Sequence, residues 1–277
     1  MKKIIAMLLM LNAFSMSADA ALKVSPMVIE LDANKTKSKY LTTAFNVSAA
    51  KDETIRFKIY PSYFKITNEG KLLDLPNSNS QFSLVKNARF MPNEFTLSNG
   101  RTQKVRLTIA NLDKLPQGEN RMVLFLEDVV AKEVILPYHQ KDINTKLVVK
   151  TRIGVPVYVD KGKFIKQARI NQLAIKKDNE NYLLNMQLES IGNSKVRYSA
   201  KAQIIQGKNL ISEFPLNSSV IANNNVLNVS QIIPKNKCGN GDCKLRVLIK
   251  YKNEKGQNKI VKDETEFSVL NFNSDKI

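Results

Sequence analysis

Short runs in which apolar and polar residues alternate follow one another along almost the whole chain. Residues 55–59 (IRFKI) and 104–109 (KVRLTI) are clear examples, and turn sequences such as 68–70 (NEG) and 98–100 (SNG) separate the runs. Side chains on a strand point to alternate faces, so each run predicts a half-buried strand. No run has the 3.6-residue period of a helix. Strands at this spacing predict an all-β protein built from β-sandwiches.

Residues 1–20 have the features of a secretory signal peptide. Lys2 and Lys3 precede an apolar run over residues 4–11, and 18–20 (ADA) supplies small residues for cleavage after Ala20. The apolar run is too short to span a bilayer, and no later stretch reaches the roughly 18 apolar residues that a transmembrane helix needs. We therefore expect an exported protein that does not span a membrane. The short signal has a bacterial form, which predicts the periplasm or beyond.

The remaining residues, 21–277, are too many for one small domain and predict two. The composition becomes more polar and richer in Asn and Lys after Gly162. We therefore place an N-terminal domain at 21–160 and a C-terminal domain at 161–277.

The chain is strongly basic, with 43 Lys and Arg against 25 Asp and Glu and a net charge of +18. Loss of residues 1–20 removes two Lys and one Asp and leaves +17. Such a charge suits nucleic acid, but the basic residues are spread out and no nucleic-acid-binding module occurs. The predicted compartment also argues against nucleic acid. A solvated cationic surface with a functional basic pocket is the interpretation that remains.

The two cysteines, Cys238 and Cys243, enclose the turn sequence Gly-Asn-Gly-Asp. In an oxidising compartment this spacing predicts a disulfide that closes the end of a hairpin. A zinc site would need more ligands, and the single histidine, His139, is about a hundred residues away. We expect no metal site.

Motifs of catalysis are missing from the sequence. With one histidine, a Ser-His-Asp or Cys-His arrangement would have to form around His139, which has no motif near it. No nucleophile elbow, zinc-protease helix motif or phosphate-binding glycine loop occurs. The sequence therefore predicts a protein that is not an enzyme, has no catalytic residues and needs no cofactor or nucleotide.

Residues 146–159 (KLVVKTRIGVPVYV) form the most strongly strand-like stretch of the chain. Its odd positions are almost all apolar, whereas its first even positions are mostly cationic. A long mixed segment, residues 131–145, leads into it. Such a strand lies inside a sheet or is offered to a partner, because an edge strand normally carries protective charges.

Several motifs resemble the periplasmic pilus-assembly chaperones of the chaperone/usher systems. Residues 90–109 (FMPNEFTLSNGRTQKVRLTI) resemble their P-x-x-F-x-L-x-x-G-x-x-Q-x-V-R stretch. Residues 115–127 (LPQGENRMVLFLE) resemble the next strand, and 151–159 (TRIGVPVYV) the strand after their long loop. In the second half, 191–193 (IGN) is similar to a turn of their second domain, and some members carry a similar cysteine pair. The resemblance covers nearly the whole of 21–277, and archaic-type members look nearest.

The resemblance implies two immunoglobulin-like β-sandwich domains set at an angle, like a boomerang, with a binding cleft between them. The implied partners are pilin or fimbrial subunits, to which such chaperones lend a strand, and an outer-membrane usher that receives the subunits. On this chain the strand runs from Lys146 to Val155. The implied donor residues are Ile143, Leu147, Val149, Ile153 and Val155.

The chain departs from the best-known branch of that family at the carboxylate anchor. Gly154 stands where the anchoring Lys of the donor strand is expected, and Val28 where the Arg of the first strand is expected. Arg89 and Arg152 are the candidate replacements, because an Arg fork suits a carboxylate. Each is otherwise a solvated charge on a strand. Arg106 and Arg121 match family motifs and are as well explained by a structural role.

Two other functions fit the sequence. A secreted two-domain immunoglobulin-like adhesin or surface subunit would pair residues 146–155 internally. A module for acidic glycans would rest on the +17 charge and bind in a salt-dependent way.

Overall fold

A computed structural model describes residues 22–50, 53–98, 100–137, 144–178, 181–234 and 241–269. Nineteen β-strands and two short 3-10 helices, Ala33–Lys35 and Leu112–Lys114, make up the regular structure of these residues. The all-β prediction is confirmed. Within the described ranges, no helix has the length and apolar character that crossing a membrane requires. The predicted signal peptide lies outside the described residues.

The first sandwich consists of two sheets that enclose one core. Its strands are β1 Leu22–Ser25, β2 Ile29–Asp32, β3 Leu41–Ala49, β4 Thr54–Ile66, β5 Leu72–Leu75, β6 Ala88–Met91, β7 Glu94–Ser98, β8 Thr102–Ile109, β9 Gly118–Asp128 and β12 Arg152–Lys161. One sheet has the order β1-β3-β8-β6, and the other has the order β2-β12-β9-β4-β5, with β7 also paired to β4. The β2–β12 pair is parallel.

Alternation along the strands fills this core. On β8 the side chains of Val105, Leu107 and Ile109 are fully buried, whereas Lys104 and Arg106 between them are exposed. Phe57 and Ile59 face the same core from the opposite sheet. The predicted period of two is therefore the reason that two sheets close over each other.

The second sandwich has the strands β13 Ala168–Asp178, β14 Asn181–Ser190, β15 Val196–Gln206, β16 Asn209–Ile221, β17 Val226–Pro234, β18 Gly241–Lys252 and β19 Asn258–Val269. Its sheets have the orders β13-β14-β17 and β16-β15-β18-β19. A separate core lies between them, with Leu184, Ile204 and Val247 at its centre. The prediction of two sandwiches is confirmed, and the two cores fall on either side of residues 160–161, where the domain boundary stays a prediction.

The stretch 146–159 does not form one strand. Its first residues belong to β11, Asn144–Val149, which pairs with β10, Lys132–Pro137. Lys150 and Thr151 then separate β11 from β12, which enters the first sandwich. The segment before the stretch, predicted to be a loop over 131–145, thus contains a strand of its own.

Candidate functional site

Strands β10 and β11 form a separate two-stranded sheet, the β10–β11 hairpin. Its register pairs Lys132 with Val149 and Pro137 with Asn144. Among the described residues, no strand pairs with the other edge of β11. Backbone N–H and C=O groups along that edge are therefore available to an additional strand.

Two β-branched apolar residues at the end of β11 are exposed. Val148 is 57% exposed and Val149 is 42% exposed. Adjacent residues on a strand lie on opposite faces, so the hairpin presents an apolar side chain on both faces here. An exposed apolar strand next to an unpaired edge is an interaction site or an aggregation site.

The predicted donor residues fall into two groups. Leu147 lies on β11 opposite Val134, two residues from Val149, and Ile143 lies outside the described residues. Ile153 and Val155 lie on β12 instead. Val155 is fully buried in the core of the first sandwich, and Ile153 packs against that core. Their side chains hold β12 in its own sandwich. We therefore remove Ile153 and Val155 from the predicted set of donor residues.

Arg152, a predicted anchor, lies at the start of β12 beside a group of polar and aromatic side chains. Its Nη1 is 3.2 Å from Asp74 Oδ2 and its guanidinium carbon is 4.0 Å from the centre of the Phe125 ring. Tyr60 accepts a long bond of 3.5 Å from the same Nη1 and donates to Glu127 at 2.5 Å. The guanidinium remains about half exposed and can therefore reach a ligand carboxylate.

Lys150 completes this polar group through an ion pair with Glu127. Hydrogen bonds that Lys150 and Tyr60 donate lower the pKa of the Glu127 carboxyl. Both cations of the β11–β12 junction, Lys150 and Arg152, thus already have acidic neighbours. A ligand carboxylate would have to compete with Asp74 for Arg152.

Arg89, the other predicted anchor, lies on the opposite sheet of the first sandwich. It belongs to β6, where it pairs with Thr108 of β8. Its Nη1 donates to the carbonyl oxygens of Ala88 at 2.8 Å and Lys86 at 3.3 Å. The structure therefore does not bring Arg89 and Arg152 to one sheet.

Gly154, at the position where the resemblance predicts a lysine, has little room for a side chain. A Cβ atom added there would lie 3.0 Å from Val123 Cγ2 and 3.2 Å from Phe125 Cε1. Val123 and Phe125 belong to a small apolar cluster with Phe64 and Tyr158, against which Val28 packs. Positions 154 and 28, where the resemblance predicts the two anchoring cations, thus both border this apolar cluster.

A buried ionic network joins the two sandwiches, and most of its residues had no predicted role. Glu119 on β9 is completely buried, accepts a hydrogen bond from the backbone of Lys195 at 2.7 Å and lies 3.2 Å from Arg121 Nε. Lys195 Nζ lies 3.8 Å from Glu119 Oε2 and 3.8 Å from the centre of the Tyr158 ring. Burial raises the pKa of Glu119, and the two cations oppose this rise.

The turn 191–193, which the sequence likened to a family turn, lies at this joint. The carbonyl of Asn193 accepts from the Glu119 backbone at 3.1 Å, and its side-chain oxygen accepts from the Ile165 backbone at 2.8 Å. A Cβ on Gly192 would lie 2.0 Å from the Ile165 carbonyl oxygen, so glycine is required. Next to the turn, Ser194 donates to Asp160 at 2.7 Å.

A second contact between the sandwiches is made by the β4–β5 hairpin. The Asn225 side chain donates to the Ile66 carbonyl at 3.0 Å, and the Asn228 backbone donates to the Asn68 carbonyl at 2.7 Å. The joint therefore combines two kinds of contact. Glu119 and Arg121, which lie in a family motif, form the ionic part, and hydrogen bonds to backbone carbonyls of the β4–β5 hairpin form the uncharged part. The one feature of the sequence that could have indicated this joint is the presence of charged residues within the apolar run of β9.

Of the predicted disulfide, only one half lies in the described residues. Cys243 is buried on β18 opposite Phe267, and Cys238 lies outside the described residues. His139 also lies outside them. In the ranges that the structure describes, no three His, Cys, Asp or Glu residues are grouped as a metal site would require.

No protein-family model matches the sequence, and no curated protein is significantly similar to it. Solved structures do match its chain path. A chaperone–tip adhesin complex of CFA/I fimbriae biogenesis is 16% identical with a TM-score of 0.44, and the match covers 87% of this chain and 97% of that chain. The CsuC–CsuE chaperone–subunit complex of the archaic Csu pili of Acinetobacter baumannii is 14% identical with a TM-score of 0.42, covering 76% and 90%.

The CupB2 chaperone of Pseudomonas aeruginosa is 10% identical with a TM-score of 0.44, covering 90% of this chain and 100% of that chain. Fimbrial and pilus chaperones are thus among the solved structures that match. Similarity at this level leaves the function to be inferred from the chain's own residues.

Proposed function

We propose that this chain is a periplasmic chaperone that binds pilin-like subunits by lending them strand β11 and then delivers them to an outer-membrane usher. The observation that carries the proposal is the one-sided pairing of β11, which has β10 on one edge and no described strand on the other. A subunit whose sandwich lacks a strand would satisfy its own open edge along this backbone. The motifs at 90–109 and 115–127 support the same function.

Positions 147 and 149 would supply the side chains that enter the subunit, together with Ile143 ahead of them. Residues two apart share a face of a strand, so positions 147 and 149 form one row. Each large aliphatic side chain that a subunit buries would contribute roughly 1.5–3 kcal/mol before ordering costs. Ile153 and Val155 have a different role in this proposal, which is to fix β12 to the core so that β11 is presented in a defined place.

Arg152 is the anchor that this geometry favours for the subunit's terminal carboxylate. It is close in sequence to β11 and about half exposed, and it holds a single carboxylate, Asp74, at 3.2 Å. A planar guanidinium can accept a second carboxylate through its other N–H groups. Arg89 lies on the opposite sheet and would need a separate contact with the subunit.

The remaining parts of the proposal concern the export of the chain. Residues 1–20 would be removed as a signal peptide, with domains at 21–160 and 161–277. In the oxidising periplasm Cys238 and Cys243 would form a disulfide that closes the end of β18. The chain would act without a cofactor, since binding energy alone drives capture of the subunit.

The test is a pull-down of the tagged mature protein from periplasm, followed by mass spectrometry. Wild type is compared with the double variant Leu147→Asp, Val149→Asp. The matched control is Leu210→Asp, Ile211→Asp, which places the same charges on two exposed aliphatic residues of β16. A small pilin-like protein should co-elute with wild type and the control and be lost from the β11 variant, while thermal unfolding stays unchanged.

Identical profiles for all three proteins would refute strand donation and favour the adhesin. A client retained by the β11 variant but released by salt would favour the glycan-binding alternative, because exposed charge pairs are screened. Loss from the β16 control as well would mean that general surface charge, and not β11, determines capture.

A further inference from the structure

The outer face of the sheet β16-β15-β18-β19 is rich in cations. Its inner face is apolar and buries residues such as Ala202, Val247 and Ile249 in the core. Alternation therefore places the intervening residues outward. The outward cations are Arg197 and Lys201 on β15, Lys244, Arg246, Lys250 and Lys252 on β18, and Lys262 on β19.

One end of this face is neutralised by ion pairs. Glu264 lies 2.5 Å from Arg246 and 3.4 Å from Lys244. Lys201, in the same row of the sheet as Lys262, is also paired, at 2.9 Å from Glu213. These pairs are what a solvated face normally contains. They leave little net charge at this end of the sheet.

The other end, which we call the lysine end, consists of Lys250, Lys252 and Lys262 around Ile260. In the register of β18 and β19, Lys250 pairs with Ile260, and Lys262 pairs with Leu248. All three lysines are exposed, and no carboxylate among the described residues forms an ion pair with them. Ile260, at the centre, is 61% exposed. The lysine end therefore combines unneutralised positive charge with an exposed aliphatic side chain.

A groove rich in hydrogen-bond donors adjoins the lysine end. Lys250 and Lys252 line it together with Ser199, Ser218, Ser219 and Asn258. Tyr198 also lines it, with its side chain packed in the core beneath the sheet. Hydroxyl, amide and ammonium groups of this kind are donors that suit phosphate oxygens.

The chemistry of the lysine end distinguishes a membrane from a protein partner. Interfaces between proteins are enriched in Arg and depleted in Lys, whereas this end consists of three lysines. Lysine is a flexible point charge that does not require fixed bidentate geometry. Clustered lysines attract anionic lipid surfaces, and an exposed aliphatic residue among them can enter the boundary of the acyl chains.

We propose that the lysine end docks on the phosphate headgroups of an anionic phospholipid bilayer, with Ile260 entering the interface. The site lies on the second sandwich and uses no residue of β11. The protein would bind the membrane surface peripherally and reversibly, because three lysines and one aliphatic residue give only a modest affinity.

The test measures co-sedimentation of the mature protein with vesicles. Vesicles of equal parts phosphatidylglycerol and phosphatidylcholine should bind it at low salt and release it at high salt, and vesicles of phosphatidylcholine alone should not bind it. The variant Lys250→Gln, Lys252→Gln, Lys262→Gln should lose about fivefold in affinity for each lysine. Ile260→Ser should cause a smaller loss.

The matched control is Lys23→Gln, Lys37→Gln, Lys104→Gln, which removes the same charge from exposed positions of the first sandwich. The control should bind within about twofold of wild type, because none of its three lysines belongs to the second sandwich. Equal losses in the two triple variants, or equal binding to both kinds of vesicle, would overturn the proposal. Lysine-dependent binding of poly-glutamate without binding of vesicles would overturn it in favour of an acidic polymer.

Discussion

Strands β11 and β12 come from one continuous alternating sequence, yet they have opposite environments. β12 pairs with β9 over its whole length from Arg152 to Lys161 and with β2 over residues 157–160. Within the described ranges, β11 pairs with β10 alone. The valines show the result, because Val155, Val157 and Val159 are fully buried whereas Val149 is 42% exposed.

An apolar alternation therefore specifies a strand but not its number of neighbouring strands. Burial on β12 results from two neighbouring strands and a second sheet across the core, which residues far away in the sequence supply. No described side chain of β11 belongs to that core. The same residue type is therefore structural at one position and available for binding six positions earlier.

The largest expected effect comes from placing the same charge, an aspartate side chain, on each of the two strands. Val155→Asp should lower the free energy of unfolding by about 4 kcal/mol or more, because it buries an unpaired carboxylate. Val149→Asp should change it by about 0.5 kcal/mol or less. Urea denaturation measures both. Similar effects at the two positions would show that β11 is packed like β12 and would remove the basis for strand donation.

The next test concerns the far end of β12, which is fixed to the second sandwich. Lys195→Met removes a buried cation from Glu119, and Asp160, opposite Glu119 in the register, lies in the same joint. Breaking a buried pair should cost about 3 kcal/mol in the free energy of unfolding, the lower end of the usual range, because Arg121 still neutralises Glu119.

The control for this joint is Lys201→Met, which breaks an exposed pair at 2.9 Å and should cost about 1 kcal/mol or less. A loss for Lys195→Met no larger than that of the control would mean that the joint does not hold the sandwiches together. Calorimetry of both variants distinguishes the outcomes.

Local alternation was sufficient to predict most strands. Ile55, Phe57 and Ile59 are buried on β4 as their spacing predicts. Strand β16 was not predicted, because Pro215 and a run of Asn and Ser interrupt its pattern. It is an edge strand with bulges opposite β15, where a proline is tolerated because the unpaired side of the strand needs no N–H donor.

The candidate site was predictable only in part. Residues 146–149 were correctly identified as strand, but the division between β11 and β12 depends on β9 and β2, which local sequence does not indicate. The joint was also beyond sequence reasoning, since Glu119 and Lys195 are 76 residues apart and no pattern links them. Arg152 was identified, whereas its contact with Asp74, 78 residues away, was not.

A smaller effect is expected at Gly154, the residue close to the junction of the two strands. Alanine would reduce the freedom of the unfolded chain, which stabilises by about 0.4–1 kcal/mol. Its Cβ would also press on Val123 and Phe125, at a cost of about 1–3 kcal/mol. We expect a net loss of about 1 kcal/mol in the free energy of unfolding, measured by urea denaturation.

The double variant Gly154→Ala, Val123→Ala tests whether contact with Val123 causes the loss of stability. Removing Val123 Cγ2 removes the atom nearest to the added Cβ, at 3.0 Å. The two substitutions should therefore cost less together than the sum of their separate costs. Additive losses would show that the tight packing around Gly154 is not the cause.

The smallest effect on stability is expected for Arg152→Ala, at the first residue of β12. Its ion pair with Asp74 is about half exposed and should contribute less than about 1 kcal/mol. Binding should respond differently, because an anchor acts only in the complex. We expect Arg152→Ala to weaken retention of the client in the pull-down, and Arg152→Lys to restore it only in part, since lysine lacks the planar fork. Full retention by Arg152→Ala would remove Arg152 as the anchor. Full rescue by Arg152→Lys would show that charge alone, and not the bidentate fork, holds the carboxylate at the junction of β11 and β12.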